Sequence, residues 1–165
     1  MLVCNTLASF QTKGATEAFM KKYILIFVVA FVLSPFVSEA AGVIELTQTG
    51  CQFLESEGTD HKFVTHSSHD CEAINARSGG KRLATAKPMM LSPGEYIFRV
   101  KNRDVPYVLG FWLRGAGLSR LTLPSVSGGG IKTGGTRDYA VTLKEGEYRY
   151  SCPLNPTPDY TLIVK

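Results

Sequence analysis

From Lys87 to the C-terminus the chain is written in short alternating runs, each closed by glycine, proline or asparagine, and no helical period intervenes. Tyr96, Phe98 and Val100 share one face of a run whose other face carries Glu95, Arg99 and Lys101, with Ile97 as the exception. Tyr139, Val141 and Leu143 repeat the pattern, followed by Tyr148, Tyr150 and Cys152, and then by a last strand from Tyr160 to Lys165. Met89 to Leu91 is a further short strand, and Val43 to Gln48 (VIELTQ) reads as the first. Val105 to Leu113 (VPYVLGFWL) is apolar almost throughout, which predicts a strand covered on both faces, with Phe111, Trp112 and Leu113 in the core. Gly115 to Ile131 reads mostly as loop. Strands separated by turns such as Pro93-Gly94 and Gly146 build an all-β sandwich or small barrel, and the lack of long helices between them excludes a parallel α/β fold.

Residues 51–85 differ in character. They are polar, hold all three histidines (His61, His66 and His69) and show no strand alternation. Ser67-Ser68-His69-Asp70 is a capping sequence for a short helix through Cys71 to Arg77, with Gly79-Gly80 to end it. The segment therefore reads as a loop and short helix inserted near the N-terminus of the domain.

Lys21 and Lys22 follow Met20, an apolar run extends from Tyr23 to Val37, and Ser38-Glu39-Ala40-Ala41 offers small residues for cleavage. These are the parts of a secretory signal peptide, and the run is short for a membrane span, which needs roughly 20 residues. The reading is residues 1–19 as a start-codon extension, 20–40 as signal peptide and 41–165 as the exported domain, in the periplasm or secreted. The rival reading keeps the run as an uncleaved anchor, the only route by which the chain would touch a membrane. Net charge is +4 and the pI about 8.9, with no dense Lys/Arg cluster outside the signal region, so nucleic acid is not an expected partner.

Export favours disulfides, and the exported part has three cysteines, Cys51, Cys71 and Cys152. The preferred pair is Cys51 with Cys71, a loop whose closure contributes roughly 3 kcal/mol. Pairing of Cys152 with either of the others stays open. An odd thiol in an exported chain is buried and inert, holds a metal, or pairs with another molecule.

Two segments, Leu91-Ser-Pro-Gly-Glu-Tyr-Ile-Phe-Arg-Val-Lys-Asn102 followed by Val105-Pro106-Tyr107, and Val141-Thr-Leu-Lys-Glu-Gly-Glu-Tyr-Arg-Tyr-Ser-Cys-Pro153 ending in Tyr160 to Val164, together resemble the cupredoxin family. The resemblance implies a Greek-key β-sandwich and a copper site of two histidines, a cysteine and a weak axial ligand. It places Cys152 at the thiolate position and Tyr107 at that of the first histidine, with Tyr160 nearby. Pro153-Leu-Asn-Pro-Thr-Pro-Asp159 supplies neither histidine nor methionine, so the implied copper site is degenerate. Tyr150-Ser-Cys152 also resembles the tyrosine corner of immunoglobulin domains, but Trp112 stands too far beyond Cys71 for that family.

His61, His66, His69 and Cys71 lie close in sequence and are good copper or zinc ligands, although their spacing matches no structural zinc pattern. The candidate metal ligands are thus Cys152, Tyr107, His61, His66 and His69. Ser127-Gly-Gly-Gly-Ile-Lys-Thr-Gly-Gly135 lacks the Gly-Lys-Ser/Thr of a phosphate loop and reads as an inter-strand loop. No nucleophile–base or paired-carboxylate arrangement is present, so an enzyme is not expected. The sequence reads as an exported cupredoxin-like binding protein for metal handling or docking to an envelope partner. The alternative is an electron carrier using Cys152 to hold copper.

Overall fold

The structure is a computed structural model that describes residues 41–165; the start-codon extension and signal peptide read at 1–40 lie outside the described residues. Alternation sets the first strand, β1 (Gly42–Thr49), whose inward side chains include Leu46 and then, at the same face, Gln48. β1 turns into the two-residue β2 (Gln52–Phe53) and runs parallel to β4 (Gly94–Asn102), which pairs antiparallel with β7 (Thr136–Leu143). The second sheet has the order β3-β9-β8-β5-β6, from β3 (Met89–Leu91), β9 (Tyr160–Val164), β8 (Gly146–Ser151), β5 (Leu109–Gly115) and β6 (Val126–Ile131). β3 and β9 are parallel, and the other pairs of this sheet are antiparallel. The chain passes repeatedly from one sheet to the other, and the result is the expected all-β sandwich.

Between the sheets lie Leu46, Phe98, Val100, Phe111, Leu113, Tyr139, Leu143, Tyr148, Tyr150 and Leu162, all buried. Each large apolar side chain so placed contributes about 1.5–3 kcal/mol. Phe53 is the one core ring supplied by the polar insertion, and it packs edge-on against Phe111, Tyr150 and Tyr160.

Three sequence expectations need correction. Val105 to Val108 is not strand; its backbone is gathered by the buried Asn102 side chain, whose Nδ2 donates to Val105 O and Tyr107 O and whose Oδ1 accepts from Val105 N. β5 begins at Leu109 and is buried on one face only. Phe111 and Leu113 enter the core, whereas Trp112 points outward, with the guanidinium groups of Arg114 and Arg120 at 3.9 and 5.7 Å from its ring centroid. Gly128-Gly129-Gly130 lies within β6 rather than in a loop, since β5 and β6 approach too closely there for side chains: a Cβ on Gly110 would meet Gly128 O at 2.7 Å.

The insertion is more helical than its sequence suggests. α1 (Leu54–Glu57) follows β2 directly, and α2 (Ser68–Thr85) runs straight through Gly79-Gly80. A capping box of Ser67 and Asp70 starts α2 as expected. Its continuation is decided by Arg82, buried near its C-terminal end. Arg82 donates Nε and Nη2 to the Glu57 carboxylate at 2.9 and 2.7 Å, Nη2 to Cys51 O and Nη1 to Asn75 Oδ1. This bidentate pair outweighs the helix cost of two glycines, about 1 kcal/mol each. Glu57 also accepts from Tyr160 OH and pairs with His61 Nε2.

Burial alone would raise the Glu57 pKa, but the hydrogen bonds from Arg82 and Tyr160 hold the carboxyl below its ordinary 4.5. A depressed carboxylate contributes stability that is present above the unfolded value and lost as pH falls through the folded one. Below about pH 4.5 the urea midpoint is therefore expected to fall more steeply in the wild type than in Glu57→Gln. At neutral pH that substitution leaves Arg82 buried without its counter-charge and should cost about 3–5 kcal/mol by urea denaturation.

Candidate functional site

β8 ends at Ser151, and the next residue, Cys152, turns its side chain into the end of the sandwich, where it is completely buried. The register break between Leu109 and Phe111 aims Gly110 N at Cys152 Sγ (3.3 Å), and Asn155 N donates to the same sulfur (3.3 Å). Burial pushes the thiol's pKa up, against the pull of the Gly110, Asn155 and Leu154 N–H groups and the Gln48 amide. Cys152 is a free thiol, and Cys51 and Cys71 form a disulfide.

Asn155, also fully buried, fastens this end of the molecule. Its Nδ2 donates to Thr49 O (2.9 Å), and its Oδ1 accepts from Cys51 N (3.0 Å) and from Tyr107 OH (3.1 Å). Cys71 Sγ lies 3.1 Å from the same Oδ1, and Thr65 Oγ1 lies 3.4 Å from the Tyr107 hydroxyl. The asparagine thus joins β1, the disulfide, the loop before β5 and the loop after β8. Desolvation raises the Tyr107 pKa, so its hydroxyl stays a proton donor at neutral pH.

Two buried side-chain atoms among the described residues have no hydrogen-bond partner, Gln48 Oε1 and Thr49 Oγ1, at the end of β1. Gln48 spends its Nε2 on Gly110 O (2.8 Å), which sets its amide beside Cys152.

Of the sequence-derived candidates, Cys152 and Tyr107 meet through Asn155. The three histidines do not join them. His61 is tied to Glu57 and stacks on Phe63, His69 pairs with the exposed Glu72 on α2, and His66 is exposed. Among the described residues no three His, Cys, Asp or Glu side chains converge as a metal site. His66 instead lines an open cleft of about 540 Å³ with Asp60, Lys62 and Arg103. Arg103 there is neutralised by Asp60 at 2.6 Å and Asp104 at 3.0 Å. Sequence reasoning missed Asn155 and Gln48. A polar residue on the inward face of β1 was the available signal for Gln48; Asn155, in a proline-rich turn, offered none.

Fold and site together define a β-sandwich with a buried thiol at one end, closed over by a hydrogen-bonded asparagine and a disulfide. The chain matches no protein-family model and no curated protein. Among solved structures it is similar to amicyanin. An oxidized mutant is 14% identical, with 79% of this chain and 87% of that chain covered and a TM-score of 0.40. A reduced mutant is 13% identical, with 80% and 92% covered and a TM-score of 0.41. A reduced Cu(I) form of another mutant at pH 4 is 16% identical, with 80% and 92% covered and a TM-score of 0.42. At these scores the likeness carries no argument on family or chemistry, and the sandwich is defined by its own strand order.

Removing the Asn155 side chain strands Cys51 N, Tyr107 OH and Thr49 O. Asn155→Ala is expected to lower stability by about 2–4 kcal/mol, and Tyr107→Phe by about 1 kcal/mol. The double variant should cost less than the sum of the two in urea denaturation, since both act on one hydrogen bond.

Proposed function

We propose that this is an exported, cupredoxin-like binding protein whose copper position has been rebuilt as a closed polar cluster. It serves metal handling or docks to an envelope partner rather than carrying electrons on a type 1 copper. The observation that supports this most directly is the bond from Tyr107 OH to Asn155 Oδ1. Tyr107 stands where the resemblance puts the first imidazole, and Asn155 lies in the turn that would carry the second. The Tyr107 hydroxyl is spent on Asn155 Oδ1, which also accepts from Cys51 N, beside a thiol that is fully buried and hard to ionise. Type 1 copper needs a thiolate and two imidazoles, and among the described residues no such group of three converges.

Export to the periplasm or the outside agrees with the signal peptide read in the sequence and with the disulfide. Among the described residues no helix is long and apolar enough to cross a membrane. Val108 and Leu154, the chain neighbours of Tyr107 and Asn155, are 46% and 45% exposed and give this end an apolar face suited to a partner.

Titration of the exported, disulfide-intact chain with Cu(II) tests the reading. No intense visible thiolate-to-copper absorption is expected, and the spectrum should match that of Cys152→Ser. A stoichiometric band that vanishes in that variant would overturn the closed-cluster reading and restore an electron carrier.

A further inference from the structure

A 3-10 helix, Gly117–Leu121, joins β5 to β6. Three residues make one turn of such a helix, so Leu118 and Leu121 stand one above the other on a single face. They are 89% and 87% exposed, the most exposed large apolar side chains among the described residues. The backbone behind them keeps them out. A Cβ on Gly115 would meet Ser119 O at 2.4 Å, so the turn lies directly on the end of β5. Ser119 O also accepts from Thr122 N and Leu123 N, at 3.2 and 2.9 Å. Leu123 packs on Gly146 and the core, which leaves the other two leucines presented to water. Paired apolar side chains held out in this way mark a surface that something covers.

The strand registers fix where this tip lies. Gly115 pairs with Tyr148 near the start of β8, and Ala116 N donates to Glu147 O at 2.8 Å. Lys144 and Glu145 join β8 to the end of β7, where Leu143 pairs with Gly94 at the start of β4. Tyr96 of β4 pairs in turn with Gly42 at the start of β1. The tip therefore shares its end of the sandwich with the start of β1, and Cys152 lies at the opposite end, beyond the last residue of β8. Only Ser38 to Ala41 separate β1 from the apolar run Tyr23 to Val37. A link of that length reaches at most about 14 Å. A bilayer that holds the run, during export or beyond it, lies within that reach of the start of β1.

Charge favours the same occupant. From Val105 to Arg137 the chain has no acidic residue. Arg120 stands between the two leucines in sequence, exposed, with its guanidinium 5.7 Å from the centroid of the Trp112 ring. Arg114 shares that ring and is paired with Asp159 at 2.7 Å. The neighbouring turns and strand ends bring Glu95 and Glu145 against Lys144 and Lys165, so Arg120 sets the sign of the tip. Leucines beside an arginine and an aromatic ring are the side chains that settle at a lipid headgroup boundary.

We propose that this tip docks on an anionic lipid bilayer, with Leu118 and Leu121 entering the acyl–headgroup boundary and Arg120 lying among the phosphates. The attachment is peripheral and reversible, because two leucines bury far less apolar surface than a spanning helix. It turns the Cys152 end away from the membrane, towards any partner that approaches through the compartment. The contact does not depend on what surrounds Cys152.

Flotation of the exported chain with vesicles tests the proposal. The vesicles are phosphatidylcholine alone, or equal parts phosphatidylcholine and phosphatidylglycerol. The wild type is expected to float with the mixed vesicles and to be released as salt is raised. Leu118→Ser and Leu121→Ser should each lower the partition coefficient about tenfold or more. Their urea midpoints should stay at the wild-type value, because both side chains are already exposed. Arg120→Gln should lower partitioning about fivefold on the mixed vesicles only. Val64→Ser removes a side chain 78% exposed at the Cys152 end, next to the Thr65 that reaches Tyr107, and should partition as the wild type does.

The proposal is overturned if the wild type floats with neither vesicle, or if the leucine variants float as well as it does. Equal binding to phosphatidylcholine alone would overturn the anionic occupant. A loss in Val64→Ser as large as in the leucine variants would mean unspecific adsorption and overturn the assigned face. Sedimentation equilibrium without lipid covers the remaining occupant. A wild-type dimer that Leu118→Ser converts to monomer would show that a second copy covers the leucines, and would overturn the membrane contact.

Discussion

Glu57 is a carboxylate buried among a guanidinium, a phenol and an imidazole, and the insertion between β2 and β3 is held to the sandwich through it. An ion taken out of water loses several kcal/mol of solvation, which only close and complete pairing returns. Arg82 provides it from nearly the far end of α2, so the length and direction of that helix follow from where Glu57 stands. Arg82 also reaches Cys51 O, next to the disulfide, and Tyr160 ties the same carboxylate to the core edge of β9. Helix, disulfide and second sheet therefore share a single buried charge.

The consequence is felt at the end of the sandwich. With α2 anchored at Arg82, Cys71 in its first turn is placed over Asn155, and the disulfide brings Cys51 there as well. Asn155 then becomes the meeting point of four segments. A metal would organise such an end by collecting ligands from several loops; here an amide does so with one donor and one shared acceptor. The arrangement is stiff because Asn155 is fully buried and Tyr107 half-buried, and a buried group without a partner is costly. Gln48 Oε1 and Thr49 Oγ1, on successive residues at the end of β1, are the exceptions among the described residues.

The strands were legible because alternation is a local property: Phe98 and Val100, or Tyr148, Tyr150 and Cys152, declare their face from spacing alone, and each is buried. Trp112 misled, since an apolar run does not say which side faces out; Arg114 and Arg120 cover its ring instead of the core. The glycines of β6 misled for a related reason, because glycine marks loops and close strand contacts alike. At the site, Cys152 and Tyr107 are the two candidates that both touch Asn155, whereas His61 and His69 pair with Glu57 and Glu72 of the insertion.

By itself the sequence determined the strand pattern, the two-layer fold it builds and the presence of one thiol too many for pairing, since these depend on residue type and near neighbours. Tertiary structure alone decided the rest. Asn155 and Thr49 are far apart along the chain, as are Glu57 and Arg82, and neither pair has a local signature. Whether Gly79-Gly80 ends α2, which asparagine is buried and what surrounds Cys152 follow from desolvated polar groups finding partners across the fold. That requirement acts only once the sheets have closed and water has left.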